Sequence, residues 1–236
     1  MADFLLVHGS CHGAWCWRDL IPALEARGHT AHTITLPGHG DGRDPATVTL
    51  AETTDAVLAA CAPDRIVLGH SWAGVPISAA AEAAPERMRG LIYLCSYIPV
   101  SGLSLIGMRQ AGPRQTLGGA TEKNAEGSAY SFVAEHAPEL FYHDCPPETV
   151  RLALDNLCAQ PIPPQDTPVH LGARFDSVAK AYIRCSEDRV IPPEYQAQMA
   201  SALPADRVFD MAASHSPFFA DPAGLADLMT RIAEAF

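Results

Sequence analysis

Residues 66–76, IVLGHSWAGVP, join a short apolar run to a stretch of small residues. The pattern predicts a buried strand ending near Gly69, then a tight turn and a helix. A serine on such a turn projects its hydroxyl beyond the strand, and small neighbours make the turn sterically possible. The N-terminus of the following helix can stabilise a negative charge that develops there. We therefore predict that Ser71 is a nucleophile.

The strict form of this turn, G-x-S-x-G, is present only in part. Ala73 stands in the fifth position, and Gly74 follows it. Alanine is small enough to keep the turn plausible. The apolar strand before the serine and the small-residue helix after it support the interpretation.

Apolar runs and helical patterns alternate along most of the chain. Strands are predicted at 4–8, 29–36, 65–69, 91–95, 181–185 and 208–211, and helices at 15–27, 50–62, 72–84, 193–202 and 223–236. Repeated strand–helix units give parallel strands with right-handed crossovers. Strands that are apolar throughout indicate helices on both faces. The predicted fold class is α/β, with a doubly wound, mostly parallel sheet of about six strands.

The segment 100–171 breaks this alternation and contains many of the prolines. It is too long for a structureless loop inside a compact domain. We expect a helical cap insertion over the C-terminal edge of the sheet, with 1–99 and 172–236 as the core. A partly disordered excursion is the alternative. Phe132, Phe141 and Tyr142 are candidate substrate-pocket residues, or equally the core of the insertion.

Composition restricts the classes of partner. The 236 residues are 48% hydrophobic and 18% charged, as in a compact globular protein. The net charge is −11 and the 16 Lys and Arg are scattered, so we expect no nucleic-acid or membrane partner.

The N-terminus resembles neither a signal peptide nor an anchor. Seven cysteines without a CxxC pair indicate a reducing compartment, and we expect a cytoplasmic protein.

Four stretches carry a resemblance to a known family. HGSCHGAWCW, GHSWAG, CSEDRVIP and ASHSPF occur in this order. They resemble the α/β-hydrolases, and most of all the branch of plant methyl-ester hydrolases, hydroxynitrile lyases and related bacterial esterases. The resemblance covers nearly the whole chain and is weakest in the insertion. It implies an α/β-hydrolase fold.

A serine nucleophile needs a base, and the base needs an orienting carboxylate. In this fold the order along the chain is serine, acid, histidine. His215, in the loop after the last predicted strand, is the predicted base. Asp188 follows a strand end and is the predicted acid, with Glu187 beside it as the second choice. The loop after the fourth strand, CSYIPVSG, contains no carboxylate.

An oxyanion hole requires two backbone N–H groups. One is expected from Trp72, the residue after the nucleophile. The resemblance implies that the other comes from Ser10, in the loop after the first strand. His8 and His12 are four residues apart, but no helix is expected there, so we predict no metal site. No cofactor is implied.

These observations predict a serine hydrolase, a carboxylesterase that cleaves a small, largely apolar ester through an acyl-enzyme. A homodimer is possible.

One alternative is a hydroxynitrile lyase. By resemblance, lyases carry threonine at the position of Gly9 and lysine after the catalytic histidine, where this chain has Ser216. The sequence does not place Lys123 or Arg109, either of which could supply a cation. A non-catalytic small-molecule receptor is the other alternative.

Overall fold

The computed structural model describes all 236 residues and contains nine strands. In chain order they are β1 (Asp3–Val7), β2 (Thr30–Ile34), β3 (Arg65–His70), β4 (Gly90–Leu94), β5 (Thr121–Lys123), β6 (Ala129–Phe132), β7 (Gln160–Pro161), β8 (Ala179–Cys185) and β9 (Val208–Met211). Six of them form the central sheet, in the order β2-β1-β3-β4-β8-β9. Every neighbouring pair in it is parallel. The predicted α/β class and six-stranded sheet are confirmed.

Eleven α-helices accompany the strands. They are α1 (Leu20–Glu25), α2 (Leu50–Ala60), α3 (Gly74–Ala83), α4 (Leu105–Ala111), α5 (Ala137–Phe141), α6 (Pro147–Asn156), α7 (Pro163–Asp166), α8 (Ala173–Asp176), α9 (Pro193–Ala200), α10 (Pro217–Ala220) and α11 (Pro222–Ala235). No helix of the structure has the length and apolar character needed to cross a bilayer.

The centre of the sheet forms the core of the protein. Ile66, Val67 and Leu68 of β3 have no exposed surface, and all of β4 is buried. Successive strand residues point to opposite faces, so a strand buried at every position must be covered on both faces. The parallel arrangement also brings the carboxyl ends of β1, β3, β8 and β9 to one edge. The four sequence motifs follow these four strand ends.

The single helix predicted at 15–27 is wrong. A 3₁₀ turn, Ala14–Trp17, comes first, and α1 begins only at Leu20. Pro22 lies in the first turn of α1. Proline has no N–H and its ring clashes with the carbonyl four residues earlier, so a continuous helix cannot run through this position.

The segment 100–171 contains strands as well as helices, so the expectation of a helical insertion is incomplete. β5, β6 and β7 form a three-stranded antiparallel sheet beside α4 to α7. The turn between β5 and β6 is closed by the side chain of Asn124, which accepts from Ala129 N–H and donates to Ser128 Oγ. Gly127 in this turn has a φ of 69°. Asparagine and glycine at these positions are typical of a hairpin turn.

Candidate active site

Ser71 lies on the sharp turn between β3 and α3. Its φ is 57°, in the left-handed region that non-glycine residues seldom adopt. Such a conformation costs about 1–3 kcal/mol and persists only where neighbours hold it. Here the Ser71 carbonyl accepts hydrogen bonds from Tyr97 N–H, at 3.1 Å, and from the Ser96 hydroxyl. The turn is therefore fixed from the loop after β4.

Close packing around this turn explains the small residues of the motif. A Cβ on Gly74 would lie 1.9 Å from the Tyr97 carbonyl oxygen, and a Cβ on Gly69 would lie 2.6 Å from Ile77 Cδ1. The backbone contact at Gly74 cannot be relieved by a side-chain rotation. Ala73, in the fifth position, is fully buried. In this chain the position where only glycine fits is therefore Gly74, one residue after the fifth position of G-x-S-x-G.

His215 and Asp188 meet at the same sheet edge. His215 Nδ1 lies 2.7 Å from Asp188 Oδ2, and both side chains are almost fully buried. Asp188 also accepts from Val190 N–H (2.7 Å), Ile191 N–H (3.0 Å) and Gln196 Nε2 (2.8 Å). Four donors therefore hold the carboxylate. Because an ionised carboxylate can only accept, the His215 proton sits on Nδ1 and Nε2 is left as an acceptor.

Glu187, the second choice for the acid, lies elsewhere. Its side chain is exposed and makes no hydrogen bond; only its backbone is used, with the N–H donating to the Ala213 carbonyl and the carbonyl accepting from His143 Nε2, both at 3.1 Å. Asp188 is thus the carboxylate that reaches His215.

Ser71 and His215 line one cavity. No hydrogen bond joins the Ser71 hydroxyl to a protein group, so the hydroxyl is free to rotate toward an incoming substrate or toward Nε2. Catalytic hydrogen bonds are often open in the absence of substrate.

The loop after β1 packs against the serine turn. A Cβ on Gly9 would lie 2.5 Å from His70 Nδ1 and 3.1 Å from Ser71 Cβ, so only glycine fits. The Ser10 N–H makes no hydrogen bond within the protein. Trp72 follows Ser71 in the first turn of a helical segment, where N–H groups lack partners within the helix. Ser10 and Trp72 both line the cavity.

A hydrogen-bond chain connects this loop to the segment 100–171. Gln165 Nε2 donates to Ser10 Oγ at 2.8 Å, and the Tyr130 hydroxyl donates to Gln165 Oε1 at 3.1 Å. Gln165 has no exposed surface. The position of Ser10 is therefore coupled to the insertion.

The other buried histidines near the site are neutral at pH 7. Burial lowers the pKa of His12 to about 4, and it lowers the pKa of His8, His39 and His70 below the ordinary value of 6.5. Each has a hydrogen-bond partner; His70 Nε2, for example, lies 2.8 Å from the His215 carbonyl oxygen. We assign them to packing and positioning.

One group of side chains has the spacing of a metal site. Donor atoms of His70, Cys95 and His215 all lie within 4.8 Å of one another. Burial raises the pKa of the Cys95 thiol, so the sulfur stays protonated and is a poor ligand. The Nδ1 atom of His215 is already bonded to Asp188. These donors do not fit a metal centre.

The cavity beside Ser71 has a largely apolar wall. The apolar wall residues include Leu105, Leu117, Phe132, Phe141, Val190 and Ile191. Core elements and the segment 100–171 both contribute residues to this wall.

The pocket expectation for Tyr142 is corrected. Phe132 and Phe141 line the cavity, but Tyr142 does not. Its hydroxyl is 2.8 Å from His12 Nε2, and the side chain is only 1% exposed. The hydrogen bond to His12 holds Tyr142 behind the cavity wall, where it supports the loop after β1.

Comparison with protein-family models adds a second line of evidence. The model described as the alpha/beta hydrolase family matches residues 4–228. The chain belongs to the alpha/beta hydrolase family. The resemblance read from the four motifs is thereby confirmed.

Curated and solved relatives of this hydrolase are similar over the whole chain. A pyrethroid hydrolase of Sphingobium wenxiniae is 31% identical, over 100% of this chain and 89% of its own. Methylesterase 1 of Arabidopsis thaliana is 29% identical, over 99% and 96%. The crystal structure of a pyrethroid hydrolase from Sphingobium faniae JZ-2 superposes with a TM-score of 0.88 at 30% identity, over 99% and 98%.

Three polar residues of the hydrolase site carried no sequence signal. Gln165 and Gln196 reach Ser10 and Asp188 through buried side-chain contacts, and glutamine has no motif that marks such a role. Arg109 of α4 lines the cavity, whereas Lys123 of β5 is exposed. The position of Arg109 depends on how the insertion folds.

Proposed function

We propose that this hydrolase is a carboxylesterase with Ser71 as nucleophile, His215 as general base and acid, and Asp188 as the residue that orients His215. The observation that carries the proposal is the 2.7 Å contact between His215 Nδ1 and Asp188 Oδ2 at the cavity that also holds Ser71. This order of serine, acid and histidine is the one expected for the fold.

In the proposed mechanism, Ser71 Oγ attacks the ester carbonyl while His215 Nε2 takes the hydroxyl proton. Negative charge develops on the carbonyl oxygen, where the N–H groups of Ser10 and Trp72 stabilise it. The tetrahedral intermediate collapses, and the alcohol leaves with the proton from His215. Water then attacks the acyl-enzyme by the same route and frees the acid.

The proposed substrates are small carboxylic esters. The apolar cavity wall supports an acyl or alcohol group that is small and largely apolar. Relatives named pyrethroid hydrolase and methylesterase support ester chemistry. No observation favours a receptor without catalysis.

Three further expectations belong to the proposal. Residues 100–171 act as a cap that determines specificity, since they supply much of the cavity wall. The seven cysteines are all free, which supports a reducing compartment such as the cytoplasm. A homodimer stays a prediction.

The test combines labelling with turnover. A fluorophosphonate probe should label wild-type protein and spare Ser71→Ala, and Ser71→Ala should lose at least about a thousandfold in kcat on 4-nitrophenyl esters. Circular dichroism checks that the variant is folded. If a folded Ser71→Ala keeps a tenth of wild-type turnover, Ser71 is not the nucleophile.

A further inference from the structure

Arg109 places one cationic side chain in the wall of the active-site cavity. It lies on α4, four residues after Leu105, which also lines the cavity. Residues four apart share one face of a helix, so α4 turns this face toward Ser71 and His215. Arg109 is half-buried.

The Arg109 guanidinium has no partner in the protein. It makes no hydrogen bond and no ion pair; the Arg109 hydrogen bonds are made by the backbone, whose carbonyl accepts from Gln115 Nε2 at 2.9 Å and from Gly112 N–H at 3.2 Å. Arg65 and Arg27, which also have reduced exposure, are paired with Asp3 at 2.8 Å and with Asp227 at 2.6 Å, whereas Arg207 has no ion pair and packs over the Phe236 ring. The guanidinium N–H groups are therefore free to donate hydrogen bonds to a ligand that enters the cavity.

The remaining wall supplies no opposite charge. No aspartate or glutamate lines the cavity, although acidic residues outnumber basic ones in the chain. His12 and His70, which also line it, are held neutral because burial lowers their pKa. Arg109 is therefore the only permanently charged side chain among the residues that line the cavity, and the Asp188 carboxylate lies behind the wall, hydrogen-bonded to His215.

A second donor lies near Arg109. The Tyr97 side chain lines the cavity, and its hydroxyl makes no hydrogen bond within the protein. Burial raises the pKa of Tyr97 above its ordinary value, so the hydroxyl keeps its proton and can donate it in a hydrogen bond. A guanidinium and a free hydroxyl in the wall of one cavity suit a carboxylate, which accepts several hydrogen bonds.

We propose that Arg109 is a specificity-determining residue that binds a carboxylate of the substrate, and that the preferred substrates are monoesters of short dicarboxylic acids. The apolar wall, with Leu117 and Phe132, would hold the methylene spacer between the carboxylate and the ester. This inference rests on the proposed esterase function and names the substrate class for the same site.

The experiment compares two substrates of equal length, 4-nitrophenyl hexanoate and the mono-4-nitrophenyl ester of adipic acid, in which a carboxylate replaces the terminal methyl group. The succinate and butyrate pair tests a shorter spacer. The quantity measured is the ratio of kcat/KM for the anionic ester to that for the neutral ester, after subtraction of spontaneous hydrolysis. We expect Arg109→Met to lower this ratio by about ten- to a hundredfold, as for loss of a hydrogen-bonded charge. Arg109→Lys should restore part of it.

The matched control is Arg151→Met. Arg151 is an exposed arginine of α6 without a hydrogen bond or ion pair, so this variant has the same change in net charge away from the cavity. Its ratio should equal that of wild type. Arg109→Glu should invert the preference, favouring a 4-nitrophenyl ester with a terminal ammonium group.

A binding arm separates this inference from the esterase proposal. Calorimetry follows the binding of monomethyl adipate to Ser71→Ala and to Ser71→Ala with Arg109→Met. Binding that requires Arg109 supports the inference even if no ester is hydrolysed, in which case the esterase proposal alone is wrong. An unchanged ratio in Arg109→Met, or equal binding to the two Ser71→Ala proteins, overturns the inference and leaves the esterase proposal intact.

Discussion

Gln165 donates a hydrogen bond from Nε2 to the hydroxyl oxygen of Ser10, 2.8 Å away. The bond crosses from the segment 100–171 to the loop after β1. A shift of that loop would move the Ser10 N–H away from the position where an oxyanion forms. Oxyanion stabilisation depends on donor geometry within a few tenths of an ångström.

We expect Gln165→Met to lower kcat about tenfold, with a smaller effect on KM, because the interaction affected is one made in the transition state. Steady-state kinetics on a 4-nitrophenyl ester checks this. Gln160→Met is the matched control: Gln160 is also buried, but it lies 2.9 Å from His39 Nε2 rather than near Ser10. Equal losses of kcat in the two variants would mean a general structural role.

Asp188→Asn should cost far more than Glu187→Gln. The amide cannot stabilise the imidazolium that forms on His215, and it favours the wrong tautomer. We expect a loss in kcat of about a thousandfold or more for Asp188→Asn and less than about twofold for Glu187→Gln. Thermal unfolding of the two variants is the control for folding. The reverse ranking would assign the acid to Glu187.

The sequence allowed the sheet and the three proposed catalytic residues to be predicted because their signals are local. Ser71, Asp188 and His215 each follow an apolar run, and parallel strands bring such ends to one edge. The six strands of the central sheet are apolar or short and lie between helical patterns, which is the signal that periodicity detects.

The insertion could not be predicted as well, for physical reasons. Strands β5 and β7 have three and two residues, which is too short for the alternation of apolar and polar residues that identifies a strand in a sequence. Tyr142 and Phe141 are adjacent aromatics, yet the hydrogen bond to His12 takes one out of the cavity wall. Arg109 lies in the cavity wall because of the way α4 packs in the folded protein, and neither composition nor a local sequence pattern predicts that packing.

Acid should destabilise the fold through its buried histidines. Burial lowers the pKa of His12 from 6.5 to about 4. Between these values the unfolded chain binds a proton that the native state excludes, so the free energy of unfolding decreases as pH falls. The full loss for this one group is about 3 kcal/mol and is complete near pH 4. His8, His39 and His70, whose pKa values burial also lowers, act in the same direction.

Urea unfolding between pH 7.5 and 4.5 measures this dependence. His12→Gln should flatten it, because glutamine can still accept from Tyr142 but does not titrate in this range. His136→Gln, which removes an exposed histidine by the same substitution, is the matched control. Identical slopes for His12→Gln and wild type would refute the assignment.

Esterase and lyase chemistry can be separated by the leaving group. Both use the same serine, histidine and aspartate, but cyanide leaves as an anion and benefits from a nearby cation, whereas an alcohol takes a proton from His215. The residue after His215 is Ser216, which is uncharged and fully buried. Gly9 offers no hydroxyl to a cyanohydrin, and a Cβ there would lie 2.5 Å from His70 Nδ1.

We therefore expect hydrolysis of an aryl ester and no cyanide release from mandelonitrile above the buffer blank. Arg109 does bring a cation to the cavity, so the assay needs Arg109→Met beside wild type. Under the esterase proposal both proteins release no cyanide. Gly9→Thr should lower esterase activity without creating lyase activity, since the added side chain displaces His70. Cyanide release by wild type at the rate of the best ester, abolished in Arg109→Met, would replace the esterase proposal with a lyase that uses Arg109 as its cation.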